Sequence, residues 1–360
     1  MTKKLASWYV ARHSSASSDI CILAVNTLLT DVHDPNPAVR CLAVRTLAAI
    51  QLPELTEHAI KAVNSGLKES DASVRRAAVL ACVQIFRMTP LAVLDGGLVD
   101  RLYALIRDSD PVVVANCLDA LQEILASEGG VVVNRNMARY LLQRLSSFPE
   151  PQCANVLNYL TQYHPRDETE ALDVMNAADV FLDSCNAVVI ISALRYFLDI
   201  VSHCGLAHLR TDVVKRAKNS LFQLLSSDAH ETVYAVIEFI RHQLVGEFAE
   251  VLSHHYASVL CNSADPAYLK VVKMQLLADV ADDSSVRAVL DELCTQARSM
   301  SPQVISLNCR CVDFFSIILQ GSDLVGEASG RAPRLPVLYL LPAVLLGLPL
   351  CGTWPHLMSK

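Results

Sequence analysis

Catalytic signatures are missing from this chain. It has no Gly-x-Gly-x-x-Gly run, phosphate loop, Gly-x-Ser-x-Gly elbow or His-Glu-x-x-His helix. No catalytic residue and no cofactor are therefore expected. Aromatic residues are scarce, at 6% against 52% hydrophobic, which disfavours a β-rich fold and suits packed helices. Lys and Arg number 30 against 37 Asp and Glu, and no basic tract of the nucleic-acid-binding kind occurs, so no nucleic acid is expected. The one dense basic cluster, Lys215-Arg216-Ala217-Lys218, reads as a solvated helix face, with contact to lipid headgroups as the second reading. There is no Asn-x-Ser/Thr acceptor, and MTKKLASWYV lacks the apolar run of a signal peptide.

The twelve cysteines accordingly read as reduced, buried small hydrophobes of an intracellular protein. Cys309-Arg310-Cys311 has no second pair at zinc spacing, so no metal is expected there. His254-His255 and His203-Cys204 read as isolated pairs without a partnering carboxylate, and Gly129-Gly130 as a helix stop.

What the chain does contain is one phrase, used again and again. Asp34-Pro-Asn-Pro-Ala-Val39-Arg40 opens the run CLAVRTLAAI; Asp71-Ala-Ser-Val74-Arg75 and Asp110-Pro-Val-Val113-Val114 open two more. Weaker copies surround Cys153, Val188, Val233, Leu269 and Val304, at steps of 35 to 45 residues. That period, with a polar turn before an alanine-rich helix, marks an all-α, right-handed solenoid of HEAT/armadillo-like repeats. Asp or Ser before each helix accepts from its first free N–H groups, and Pro fits the first turn. Val39, Leu42, Ala43, Thr46, Leu47 and Ile50 then trace an apolar stripe, continued in later repeats by Val74, Ala78, Val113 and Leu118. Ala43, Ala77, Ala78 and Ala120 let neighbouring helices approach closely. Arg40, Arg45, Arg75 and Arg76 flank the stripe, where pairing with the aspartate of an adjacent turn and simple solvation both remain open.

These residues resemble a known family. ICILAVNTLLTDVHDPNPAVRCLAVRTLAAIQLPELTE (20–57) is similar to the N-terminal trunk of the β-adaptins, where an AVNT helix leads into a DPNP turn. SVRRAAVLACVQI (73–85), SDPVVVANCLDALQEIL (109–125), LNYLTQYHPRDETEALDVMN (157–176) and ADPAYLKVVKMQLLADVADDSSVRAVLDEL (264–293) continue the family pattern in order, so the resemblance covers 4–318. Within the family, EILASEGGVVVNRNMARYLLQRL (123–145) is most like the β subunit of the fourth adaptor complex.

The resemblance implies a non-enzymatic coat subunit in vesicle formation, cytoplasmic and peripheral on trans-Golgi and endosomal membranes. Its implied partners are the other large, medium and small subunits of the complex and an Arf-type small GTPase. Family members dock that GTPase on the helix before the DPNP turn, which assigns the contact to Ile22 and Val25, with Leu23, Leu28 and Leu29 pointing elsewhere. A stand-alone HEAT-repeat scaffold of transport-receptor or phosphatase-scaffold type is the competing reading. The resemblance also implies that family helices precede the position of Met1 and that hinge and ear regions follow the trunk.

The expected organisation is a trunk over 1–320 and a Pro/Leu-rich tail over 321–360 that is foreign to the repeats, disordered or artefactual. Leu335 to Leu350 is uncharged but shorter than the roughly 20 residues of a membrane span, and Pro336, Pro342 and Pro349 interrupt it. Two outcomes are expected. Circular dichroism should show helix without appreciable strand, and Leu42→Asp, a charge placed in the stacked core, should abolish soluble folding.

Overall fold

The computed structural model describes residues 2–280, apart from 15–17, 51, 245, 247, 249–251, 253–254 and 263. The repeat around Ser301–Val304, the Cys309/Cys311 pair and the tail from 321 lie outside the described residues. Among the described residues every regular element is helical. The chain falls into two compact units, Met1–Leu206 and Ala207–Lys360.

In the first unit, α1 (Thr2–His13), α2 (Ser18–Asp31), α3 (Pro37–Ala49), α4 (Thr56–Gly66) and α5 (Ala72–Met88) lead to the short α6 (Pro90–Asp95). They are followed by α7 (Leu98–Leu105), α8 (Pro111–Ile124), α9 (Arg135–Arg144), α10 (Glu150–Leu160), α11 (Glu168–Ala178) and α12 (Ala187–His203). The helices that follow the repeated phrase stack on one another: α3 on α5, α5 on α8, α8 on α10 and α10 on α12. The intervening helices α4, α7 and α11 each pack against the next member of that stack. The second unit holds α13 (Arg210–Leu225), α14 (His230–Gln243) and α15 (Ala267–Val280), with α14 packed on both others.

Local chemistry sets each helix start. Asp71, Asp110 and Asn186 are N-caps whose side chains accept from Ser73, Val113 and Val188 N–H. In the first repeat the cap is Asn36, accepting from Ala38 N–H, while Asp34 accepts from Asn36 N–H itself. The same two-step arrangement recurs where Asp108 accepts from Asp110 N–H and where the Ser184 hydroxyl accepts from Asn186 N–H. Gly129 and Gly130 have φ of 97° and 87°, and a Cβ on Gly130 would strike the Gln122 side chain, which accepts from Val131 N–H at 3.0 Å. The glycine pair thus ends the α8 segment.

Helices inside the stack are covered on more than one side, so their buried faces are wider than a single stripe. Ala43, Thr46, Leu47 and Ile50 are buried on α3 as expected, and Val44 and Ala48 join them because α3 meets α1, α2, α4 and α5. Val39 and Leu42 stand at the edge of this face and are half-buried. The stripe was therefore placed slightly off centre, and Leu42→Asp is a milder test than Val44→Asp or Leu47→Asp. Val74, Ala78, Val113 and Leu118 are at most 1% exposed. Small residues permit close approach: a Cβ on Gly66 of α4 would lie 2.9 Å from the Ala78 Cβ of α5.

The arginines settle between the two readings offered by sequence. Arg75 donates to the carbonyl oxygens of Glu69 and Ser70, in its own turn, and makes a two-point pair with Asp108 of the following turn at 2.7 and 2.8 Å. Arg40 does likewise, donating to the Asp34 and Pro35 carbonyls and reaching Glu69 at 3.4 Å. Arg76 pairs with Asp110. Arg45 is exposed and shows no such clamp. In the third repeat the clamp position is Val114, which is buried. There Arg144 from the end of α9 donates to the Asp108 and Ser109 carbonyls, which hold the same places before Val114 as those clamped by Arg40 and Arg75. In the second unit, Arg241 of α14 reaches Gln275 and Asp279 of α15, and buried Lys273 pairs with Asp265 at 2.7 Å.

Burial pushes the Asp108 carboxyl upward, but the hydrogen bonds from Arg75 and Asp110 N–H and the Arg75 charge outweigh it and hold the group below its ordinary value. A depressed carboxylate stabilises the fold above its unfolded pKa, and that contribution vanishes as pH falls through the folded value. Stability should therefore decline below about pH 4, and Arg75→Ala should flatten that decline, as read by chemical denaturation at stepped pH. Arg144→Ala should cost about 2 kcal/mol, whereas Arg45→Ala should leave stability within about 0.5 kcal/mol.

Candidate functional site

The family resemblance points to Ile22 and Val25 of α2, and the structure divides that helix cleanly. Cys21, Val25, Leu28 and Val32 recur at i, i+4, i+7 and i+11 and turn inward. Ile22, at 52% exposure, and Leu23, at 78%, turn outward with Asn26, Thr27 and Thr30. Val25 is only 5% exposed. The two residues that the resemblance pairs therefore do not share an exposed face. Residues three apart are neighbours on a helix, but the boundary of the buried face runs between Ile22 and Val25, because α3 covers one side of α2. The outward partner of Ile22 is Leu23. On α1, Leu5, Trp8 and Tyr9 are also exposed. Lys3 reaches from that helix to Asp31 at 2.8 Å and Asp34 at 3.4 Å, anchoring α1 over the turn after α2.

A concavity of about 300 Å³ lies across α3, α5 and α8 and is lined by Arg45, Leu80, Gln84, Arg87, Asn116 and Glu123. Arg87 and Glu123 form a two-point pair along it at 2.6 and 2.9 Å.

Reactive groups are arranged otherwise. The inner-helix thiols of Cys82, Cys117 and Cys153 lie within the core, and burial drives them upward, Cys82 to about 12 and Cys153 to about 11. Protonated, enclosed thiols are poor nucleophiles and poor metal ligands. Lys215 and Lys218 of the basic cluster sit on α13, Lys215 3.9 Å from Asp212 and Lys218 beside the His255 ring. His203 does acquire a carboxylate: Asp199 stands one turn before it, and His164 stacks on its ring. Reading His203 as an isolated pair overlooked the Asp199–His203 spacing of i, i+4, the one local signal of this cluster.

With the helix stack in place, the comparisons decide the family. The model for the adaptin N terminal region matches residues 1–313. The chain belongs to the adaptin N-terminal family. It is 38% identical over 294 residues to mouse "AP-4 complex subunit beta-1", covering 81% of this chain and 39% of that protein. It is 29% identical over 333 residues to Arabidopsis thaliana "Beta-adaptin-like protein A", covering 89% of this chain and 39% of the relative. The chain thus spans about two fifths of the length of these curated relatives. A structure titled "Homology model of the full-length AP-3 complex in an intermediate open conformation" shares the fold, with a TM-score of 0.55 and 17% identity over 87% of this chain and 55% of that one. Among β-adaptins, the resemblance to the β subunit of the fourth adaptor complex agrees with the mouse relative and with a Dictyostelium discoideum "AP-4 complex subunit beta", which is 28% identical.

The adaptin α2 face can be probed directly. Ile22→Asp should leave the thermal midpoint nearly unchanged, because the side chain already meets water. Val25→Asp, a charge forced into the core, should cost several kcal/mol and lower it sharply. Equal melting of the two variants would show that the helix is rotated from the orientation described.

Proposed function

We propose that this chain is the trunk of a β subunit in a clathrin-adaptor-type coat complex, acting in vesicle-mediated protein transport by assembly and not by catalysis. The observation that carries the reading is the adaptin match over 1–313, together with relatives that are themselves named as adaptor-complex β subunits. On this reading the repeats over 1–320 form the trunk, and 321–360 lies outside it. The partners are one other large chain, a medium chain and a small chain of the fourth complex, and membrane association at the trans-Golgi network and endosomes is peripheral, through the complex. Among the described residues no helix is long and apolar enough to cross a membrane.

On this reading an Arf-type GTPase docks on the outward face of α2, with Ile22 kept from the resemblance and exposed Leu23 in place of buried Val25. Two exposed aliphatic side chains next to small polar ones give the apolar centre and polar rim of a transient interface.

Co-expression of the full chain with the other three subunits tests the assembly. Affinity capture of the medium chain should bring this chain with it, and purification as a lone monomer under the same conditions would contradict the reading. Ile22→Asp with Leu23→Ser should weaken GTP-dependent capture of the GTPase at least tenfold while subunit capture stays intact.

A further inference from the structure

Among the described residues of the second unit, Tyr234 of α14 and Tyr268 of α15 are the large apolar side chains left exposed, at 37% and 46%. Their rings meet edge to face, with centroids 5.7 Å apart and an interplanar angle of 70°. Their chain neighbours Ala235 and Ala267 are small and exposed, which leaves room beside each ring. Glu231, three residues before Tyr234 and so on the same face of α14, is exposed, as is Asp228 in the turn before the helix. The patch is an aromatic pair with acid at its edge. Aromatic-lined surfaces are what polyproline II segments dock on, and the preset backbone of such a segment loses little freedom on binding.

We propose that the segment Arg331-Ala-Pro-Arg-Leu-Pro336 of this same chain docks on the Tyr234–Tyr268 pair. It is a Pro-x-x-Pro sequence, and a polyproline II helix has three residues per turn. Pro333 and Pro336 therefore share one edge of such a helix, while Arg331 and Arg334 share another. The prolines pack on the tyrosine rings, and the arginines turn toward Glu231 and Asp228. Charge favours this occupant: residues 331–360 include Arg331, Arg334 and Lys360 and no Asp or Glu. The connection is long enough, because residues 281–330 separate the segment from the end of α15 and an extended chain gains about 3.3 Å per residue. Segment and tyrosines belong to the same unit of the chain. The chain thereby carries its own ligand, and a proline-rich partner reaches the tyrosines only by displacing it.

A fluorescein-labelled peptide of residues 328–339, followed by anisotropy, tests the docking on the full chain and its variants. Pro333→Ala with Pro336→Ala removes the tethered competitor, so this variant should bind the peptide about tenfold more tightly than the wild type does. Adding Tyr234→Ala and Tyr268→Ala to it should abolish binding. Adding Glu231→Lys instead should weaken binding about threefold and leaves the rings in place. Trypsin should cut after Arg331 and Arg334 more slowly in the wild type than in the Tyr234→Ala/Tyr268→Ala chain, with the two proteins melting alike. If that variant melts early, Glu231→Lys carries both comparisons. Equal peptide affinity in the wild type and the proline variant would show an open pair and overturn the proposal. So would binding that survives the loss of both tyrosines, no binding at all, or equal tryptic rates.

Discussion

A guanidinium seated on two turn carbonyls is the contact around which the first unit is organised. A helix pair cannot bury its apolar faces alone, so each repeat depends on the next being held at the right height. The turns before α3, α5 and α8 are where that height is set, since backbone carbonyls there lack helical partners. Arg40 and Arg75 satisfy these carbonyls within their own turns and then extend to Glu69 and Asp108 in the following turns. One side chain therefore closes a turn and fixes its distance to the next. The Arg75–Asp108 pair is nearly buried, with side-chain exposures of 11% and 6%. Breaking one partner there leaves a charge stranded, which is more costly than losing a surface pair.

The third turn shows that the chemistry is retained even where the residue is not. Val114 occupies the position of Arg40 and Arg75 and joins the core, while Arg144 brings a guanidinium to the equivalent carbonyls from another helix. Periodicity marks the first two arginines, which recur one residue after Val39 and Val74, but leaves open whether they pair. It cannot reveal the third, whose donor lies 30 residues beyond Val114 and outside the phrase. The same limit governs the other departures. Helix class, the capped turns and the buried small residues are local and follow from spacing and propensity. The exact edge of a buried face is tertiary: Val39 and Leu42 fall at its margin, and Val25 falls inside it, because neighbouring helices and not the helix itself decide what is covered. The His164–Asp199–His203 cluster was half visible in its i, i+4 spacing and half hidden in a distant loop.

This division bears on function. Stacking buries more than one side of each inner helix and leaves the remainder to solvent, so the stack presents shallow exposed surfaces. The outward face of α2, with Ile22 and Leu23, and the charged concavity around Leu80, Arg87 and Glu123 are such surfaces. Rigid turns matter to both, because a surface built across successive helices keeps its shape only if the repeats keep their register.

The central claim is that the turn clamps couple neighbouring repeats, and a double-mutant cycle between Arg75→Ala and Asp108→Ala measures that coupling most directly. Denaturant unfolding of the four proteins should give a coupling energy of about 1–3 kcal/mol, the range for residues sharing a partly buried network. Strictly additive losses would show that Arg75 and Asp108 act separately and would contradict the account.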